Sequence, residues 1–188
     1  MITLVLGGTR SGKSITAERI ARSVEQPVTY VATAVVDPND ADHQARVAAH
    51  RSRRPKEWTT AECVRPADLG FLLRAIAGVA LVDSLGTWVT LHPDLVVDPT
   101  DILDAVAHRH HPTILVSEEV GLAIHPATEL GRRYVDAVGM LNQRIAEIAD
   151  RVLLVVAGRS IEFPPSNGVA GPDPVEPGRG SDSESDLP

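Results

Sequence analysis

Gly7-Gly8-Thr9-Arg10-Ser11-Gly12-Lys13-Ser14 follows directly on the apolar run Ile2-Thr3-Leu4-Val5-Leu6. The octet satisfies G-x-x-x-x-G-K-S/T with both glycines, the lysine and the hydroxyl in place. A strand that ends in such a loop turns its backbone N–H groups inward on an anion, because glycines leave no Cβ in the way. A helix beginning near Lys13 directs its positive end at the same point. Lys13 then reaches the β- and γ-phosphates of a nucleotide, and the Ser14 hydroxyl holds Mg²⁺. The stretch implies an α/β P-loop NTPase fold, a mostly parallel sheet flanked by helices.

The rest of the chain agrees with that reading. Five short apolar runs, at 2–6, 28–32, 79–82, 113–116 and 152–156, have the unbroken character of strands buried on both faces. Helical spacing fills the intervals at 13–24, 40–51, 66–77, 99–108 and 130–149. The β-α alternation predicts a doubly wound sheet with its ligand at the carboxyl ends of the strands. Residues 1–162 read as one nucleotide-binding domain. From 163 onward the chain turns to Pro, Gly, Ser and acids with no apolar period, which predicts a disordered tail over 163–188.

Composition narrows the classes. A formal charge of −7 argues against a protein that coats nucleic acid. No run of apolar residues reaches membrane-spanning length, and the single cysteine, Cys63, suits a reducing cytoplasm. Lys13 and Lys56 are the two lysines among eighteen basic side chains. Cys63 reads as a small buried filler. His108, His110 and His111 cluster at a spacing that converges poorly on one ion.

Two further features bear on chemistry. Val79-Ala80-Leu81-Val82-Asp83 is an apolar run ending in a carboxylate, which predicts Asp83 beside the P-loop Mg²⁺ together with Ser14. Glu118 and Glu119 compete for part of that role. The segment Arg46-Val47-Ala48-Ala49-His50-Arg51-Ser52-Arg53-Arg54-Pro55 sets a histidine at a helix end beside three arginines. One reading is a basic C-terminus that complements the helix dipole. The other is an imidazole kept neutral and nucleophilic by an arginine set that binds nucleotide phosphates. Spacing alone does not choose between them.

The order of motifs does. Gly7 to Ser14, Tyr30-Val31-Ala32-Thr33-Ala34, Arg46 to Pro55 with Trp58-Thr59-Thr60-Ala61-Glu62, Leu81 to Trp88, Leu115 to Gly121 and Asn142-Gln143-Arg144 occur in series. This series resembles the bifunctional adenosylcobinamide kinase/adenosylcobinamide-phosphate guanylyltransferases of cobalamin biosynthesis, over roughly residues 1–160. The resemblance implies a recombinase-like P-loop core, a homotrimer, a corrinoid substrate, and GTP and ATP as nucleotide substrates with Mg²⁺. It implies that His50 carries a covalent GMP, with Lys13 as the other catalytic residue. It further implies nucleotide contacts from Gly7, Gly8, Thr9, Arg10, Ser11, Gly12, Lys13, Ser14, Ala32, Thr33, Ala34, Arg51, Ser52, Arg53, Arg54, Glu62 and Asp83. Ser84 stands where a cysteine is frequent in that family, and Glu118 where an asparagine can occur. A single-activity P-loop kinase and a slow nucleotide-dependent binding protein are the alternatives.

Overall fold

Unbroken apolar runs demand cover on both faces, and the sheet supplies it by alternation. In the computed structural model, which describes residues 1–33 and 41–164, Leu4, Val31, Val82 and Leu115 point to one core. Their chain neighbours Val5, Tyr30, Leu81 and Val116 point to the other. The first core is closed by Leu69 and Leu73, Trp88 and Val89, Ile102 and Val106, and Val138, Leu141 and Ile145. The second is closed by Ala17 and Ala21, small residues that let a helix approach the strands closely.

The elements run β1 (Ile2–Gly7), α1 (Lys13–Arg22), β2 (Val28–Ala32), α2 (Ala41–Arg53), β3 (Thr59–Glu62), α3 (Asp68–Ala75) and β4 (Val79–Asp83). They continue α4 (Leu85–Val89), α5 (Thr100–Ala107), β5 (Thr113–Glu118), α6 (Glu129–Ile148), β6 (Arg151–Val156) and β7 (Arg159–Phe163). The strand order is β3-β2-β4-β5-β1-β6-β7. All neighbours are parallel except β7, which returns antiparallel on β6.

The five strands expected from sequence are all present, with β5 running two residues past the expected 116 to Glu118. Two strands carried no apolar signal. β3 is the short edge segment Thr-Thr-Ala-Glu, and β7 is exposed along its whole length. The helix α4 is only five residues long, too short to show a period; Ser84 and Thr87 form a capping box at its start. Phe163, expected to open the tail, instead ends β7 opposite Val152, because pairing with β6 orders it; Ala34 and residues 165–188 lie outside the described residues.

Register decides what meets at the carboxyl edge. Glu62, Ala32 and Asp83 are level across β3, β2 and β4. Gly7 is level with Glu118 on one side and Val155 on the other. The crossing from β4 to β1 through β5 therefore brings Asp83 and the phosphate loop to one ledge.

Candidate nucleotide site

The phosphate loop keeps its shape through its glycines and its neighbours. Gly12 adopts φ +97°, a left-handed conformation that favours glycine, and caps the N-terminus of α1. A Cβ at Gly7 would lie 2.8 Å from the Val155 carbonyl oxygen, so β6 excludes any larger residue there. Ser11 Oγ accepts from the Lys13 N–H at 3.3 Å. From below, the Gly158 N–H donates to the Ser11 carbonyl at 2.8 Å, so the β6–β7 turn supports the loop.

Lys13 and Ser14 each face an acid from another strand. Lys13 Nζ is 3.5 Å from Glu118 Oε1 at the end of β5. The Ser14 hydroxyl donates to Asp83 Oδ1 at 3.2 Å. A hydroxyl and a carboxylate at that separation present the hard oxygen donors Mg²⁺ takes, so these two residues fit the ion. Asp83 Oδ2 accepts from the Tyr30 hydroxyl at 2.7 Å. Burial, then the charge of Asp83 and its hydrogen bond, push the Tyr30 phenol above its ordinary range, with Arg54 opposing. The phenol therefore remains the donor.

Arg54 connects this acid to the end of α2. Its guanidinium lies over the Tyr30 ring, 3.2 Å from the centroid. Arg53 Nη2 reaches Glu18 of α1 at 3.3 Å, and Arg22 donates to the Arg53 carbonyl at 2.8 Å. Arg51 pairs with Glu62 at 3.2 Å. Arg54 thus meets β2 at Tyr30 and Arg51 meets β3 at Glu62, while Ser52 is exposed. His50 belongs to α2, and its side chain lies outside the described residues, as does Ala34.

Thr33 is fully buried, and its hydroxyl both donates to the Ser84 carbonyl at 2.7 Å and accepts from the Ser84 N–H at 2.9 Å. It clamps the end of β2 to the end of β4. Glu118 and Glu119 diverge in role. Glu118 faces Lys13 and accepts from the Gly86 N–H at 3.0 Å. Glu119 turns away to its own loop, taking the N–H groups of Gly121 at 2.9 Å and Leu122 at 3.1 Å. Near Glu118, burial and then the Glu118 charge push the Tyr134 phenol up to about 12.

Sequence reasoning did not single out Tyr30 as a site residue. Its signal was weak: one of two hydroxyls on a mostly apolar strand, two residues before the strand's end. Cys63 is buried, as expected of a filler. His108 has an acid at hand, with Asp104 Oδ1 3.1 Å from its Nδ1. His111 instead faces Gln26 at 3.1 Å.

The chain is 42% identical over 168 residues to the bifunctional adenosylcobalamin biosynthesis protein CobP of Pseudomonas aeruginosa, covering 84% of this chain and 94% of that one. It is 36% identical over 183 residues to the bifunctional adenosylcobalamin biosynthesis protein CobU of Salmonella typhimurium, covering 87% and 99%. Among solved structures, the flagellar accessory protein FlaH of Methanocaldococcus jannaschii matches with a TM-score of 0.48 and 13% identity, over 86% of this chain and 75% of that one. The family model described as cobinamide kinase / cobinamide phosphate guanyltransferase matches residues 3–163, and the chain belongs to that family.

Proposed function

We propose that one nucleotide site in this chain serves two successive transfers to the same acceptor. The chain is a bifunctional enzyme of adenosylcobalamin biosynthesis, a cobinamide kinase and cobinamide phosphate guanylyltransferase. The observation that supports a shared site is the run from Ser14 through Asp83 and Tyr30 to Arg54. It joins the phosphate loop to the end of the helix that carries His50.

In the first reaction the corrinoid hydroxyl oxygen attacks the γ-phosphorus of ATP or GTP. The bond to the β-bridging oxygen breaks, and the hydroxyl proton passes to solvent. Loop amides and Lys13 hold the triphosphate, and catalysis is mainly positioning and charge neutralisation. Ser14 and Asp83 would hold Mg²⁺, which supplies charge neutralisation on the phosphate oxygens when bound. In the second reaction His50 attacks the α-phosphorus of GTP and pyrophosphate leaves. A phosphate oxygen of the phosphorylated corrinoid then displaces the imidazole and takes the GMP. Splitting one transfer into two lowers each barrier. Arg51, Arg53 and Arg54 offset charge on the phosphates. The enzyme works as a cytoplasmic homotrimer, and residues 1–164 carry both activities without the rest of the tail.

His50→Ala tests the covalent step. GTP radiolabelled at the α-phosphorus labels the wild-type protein with an acid-labile, alkali-stable adduct, and the variant takes none. Guanylyl transfer is lost while some corrinoid phosphorylation persists. An equal fall in both activities would make His50 a binding or structural residue. Sedimentation of the wild-type protein checks the trimer.

A further inference from the structure

Between the phosphate loop and the segment after β5 lies a cavity of about 650 Å³. Residues 8–11 form one wall, Leu122 and Ile124 the facing wall, and Leu154 and Val156 of β6 part of the rest. Its volume suffices to take part of a large ligand, such as one arm and the adjoining edge, rather than to enclose the whole of it. Glu118 lines it as well, and Glu118 is the group that Lys13 faces. The lysine of such a loop reaches the β- and γ-phosphates. The outer end of a bound triphosphate therefore comes to the mouth of this cavity. An acceptor hydroxyl must stand about 3–3.5 Å from the γ-phosphorus and in line with the bond that breaks. The cavity lies where that approach begins.

Its facing wall is unusually bare. Leu122 is 81% exposed and Ile124 96%, yet the segment up to Leu122 is fastened in place. The Glu119 N–H donates to the Gly7 carbonyl at 3.2 Å, and the Glu119 carboxylate takes the next two free N–H groups, Gly121 and Leu122. Val156, at 57%, is exposed on the opposite side. Apolar side chains held open beside a reaction centre mark a surface that something apolar covers.

We propose that this cavity is the corrinoid site. Methyl groups at the edge of the macrocycle rest on Leu122 and Ile124, and the hydroxyl-bearing arm enters toward Lys13. Glu119 is a positioning residue that shapes the shelf through its own loop. The proposal rests on the kinase reading above and deepens it.

The test uses the full chain with Leu122→Glu and Ile124→Glu together, both positions being exposed enough to leave the fold intact. Dicyanocobinamide binding is followed by equilibrium dialysis at its visible absorbance, and the KM for cobinamide in phosphorylation is measured. Loss of two apolar contacts is expected to raise the Kd for dicyanocobinamide and the KM for cobinamide by about tenfold or more. Labelling by α-radiolabelled GTP stays at the wild-type level. Glu119→Ala is expected to raise the corrinoid KM with kcat and nucleotide affinity unchanged, and Glu119→Gln to recover part of the loss. Unchanged corrinoid binding in the double variant overturns the proposal. So does a change of sedimentation with loss of both activities, which would assign the shelf to a contact between copies of this chain. If the wild-type protein itself neither binds nor phosphorylates cobinamide, the kinase reading fails and the site with it.

Discussion

Two side chains carry most of what a single substitution can report about the site. Lys13 sits against Glu118 rather than packing in a core, so Lys13→Ala leaves the fold intact and removes a cation from the triphosphate. Loss of one such charge contact is worth about 2–4 kcal/mol in the transition state. Turnover in both reactions should fall accordingly, with an unchanged melting curve. Tyr30→Phe is subtler, because the ring under Arg54 remains while the donor to Asp83 goes. An acceptor left short of its partner costs about 1–2 kcal/mol. We expect roughly a tenfold drop in kcat/KM for both reactions at that cost, and Tyr30→Ala to do worse by removing the ring as well. Lys13, Ser14 and Asp83 were legible because each sits in a local pattern, a glycine loop or a strand ending in an acid. Tyr30 was not, because its partner Asp83 is 53 residues away and its meaning appears only when β2 lies beside β4.

At the scale of elements, the end of α3 depends on a residue from beyond α5. Arg109 donates to the carbonyls of Leu73, Ile76 and Gly78, and its Nε donates to Thr113 Oγ1 at 3.0 Å. Partial burial lowers its pKa from the usual guanidinium value, though not enough to discharge it. Arg109→Ala orphans three carbonyls at a helix end and is expected to cost about 2–4 kcal/mol, read by urea denaturation. Arg109→Lys should recover only part, since a single ammonium does not reproduce the fork. Nothing in the sequence near Arg109 announced this role. The central strands were legible for the opposite reason, since burial on both faces writes itself into composition. The edge strands β3 and β7 have one open side and no such constraint. Their pairing is fixed by the strand next to them.

For the whole molecule, the boundary between folded chain and tail can be set by truncation. A chain ending at Pro164 should keep both activities and its melting temperature. One ending at Ser160 cuts β7 in half, removing the 2.8 Å pair between Arg151 and Glu162 and uncovering β6. Each kcal/mol so lost lowers the melting temperature by about 2–4 °C for a chain of this size. The turn joining β6 to β7 would look, to anyone choosing where to open the chain for a fluorescent insert or a circular permutation, like the natural place. Ala157 and Gly158 are exposed and sit in a hairpin at the rim of the sheet. Yet the Gly158 amide holds the Ser11 carbonyl, and the Gly158 Cα lies 3.1 Å from where a Cβ on Gly12 would stand. The scaffold has no spare hinge there. A reporter spliced at this turn would report on the nucleotide by disturbing it.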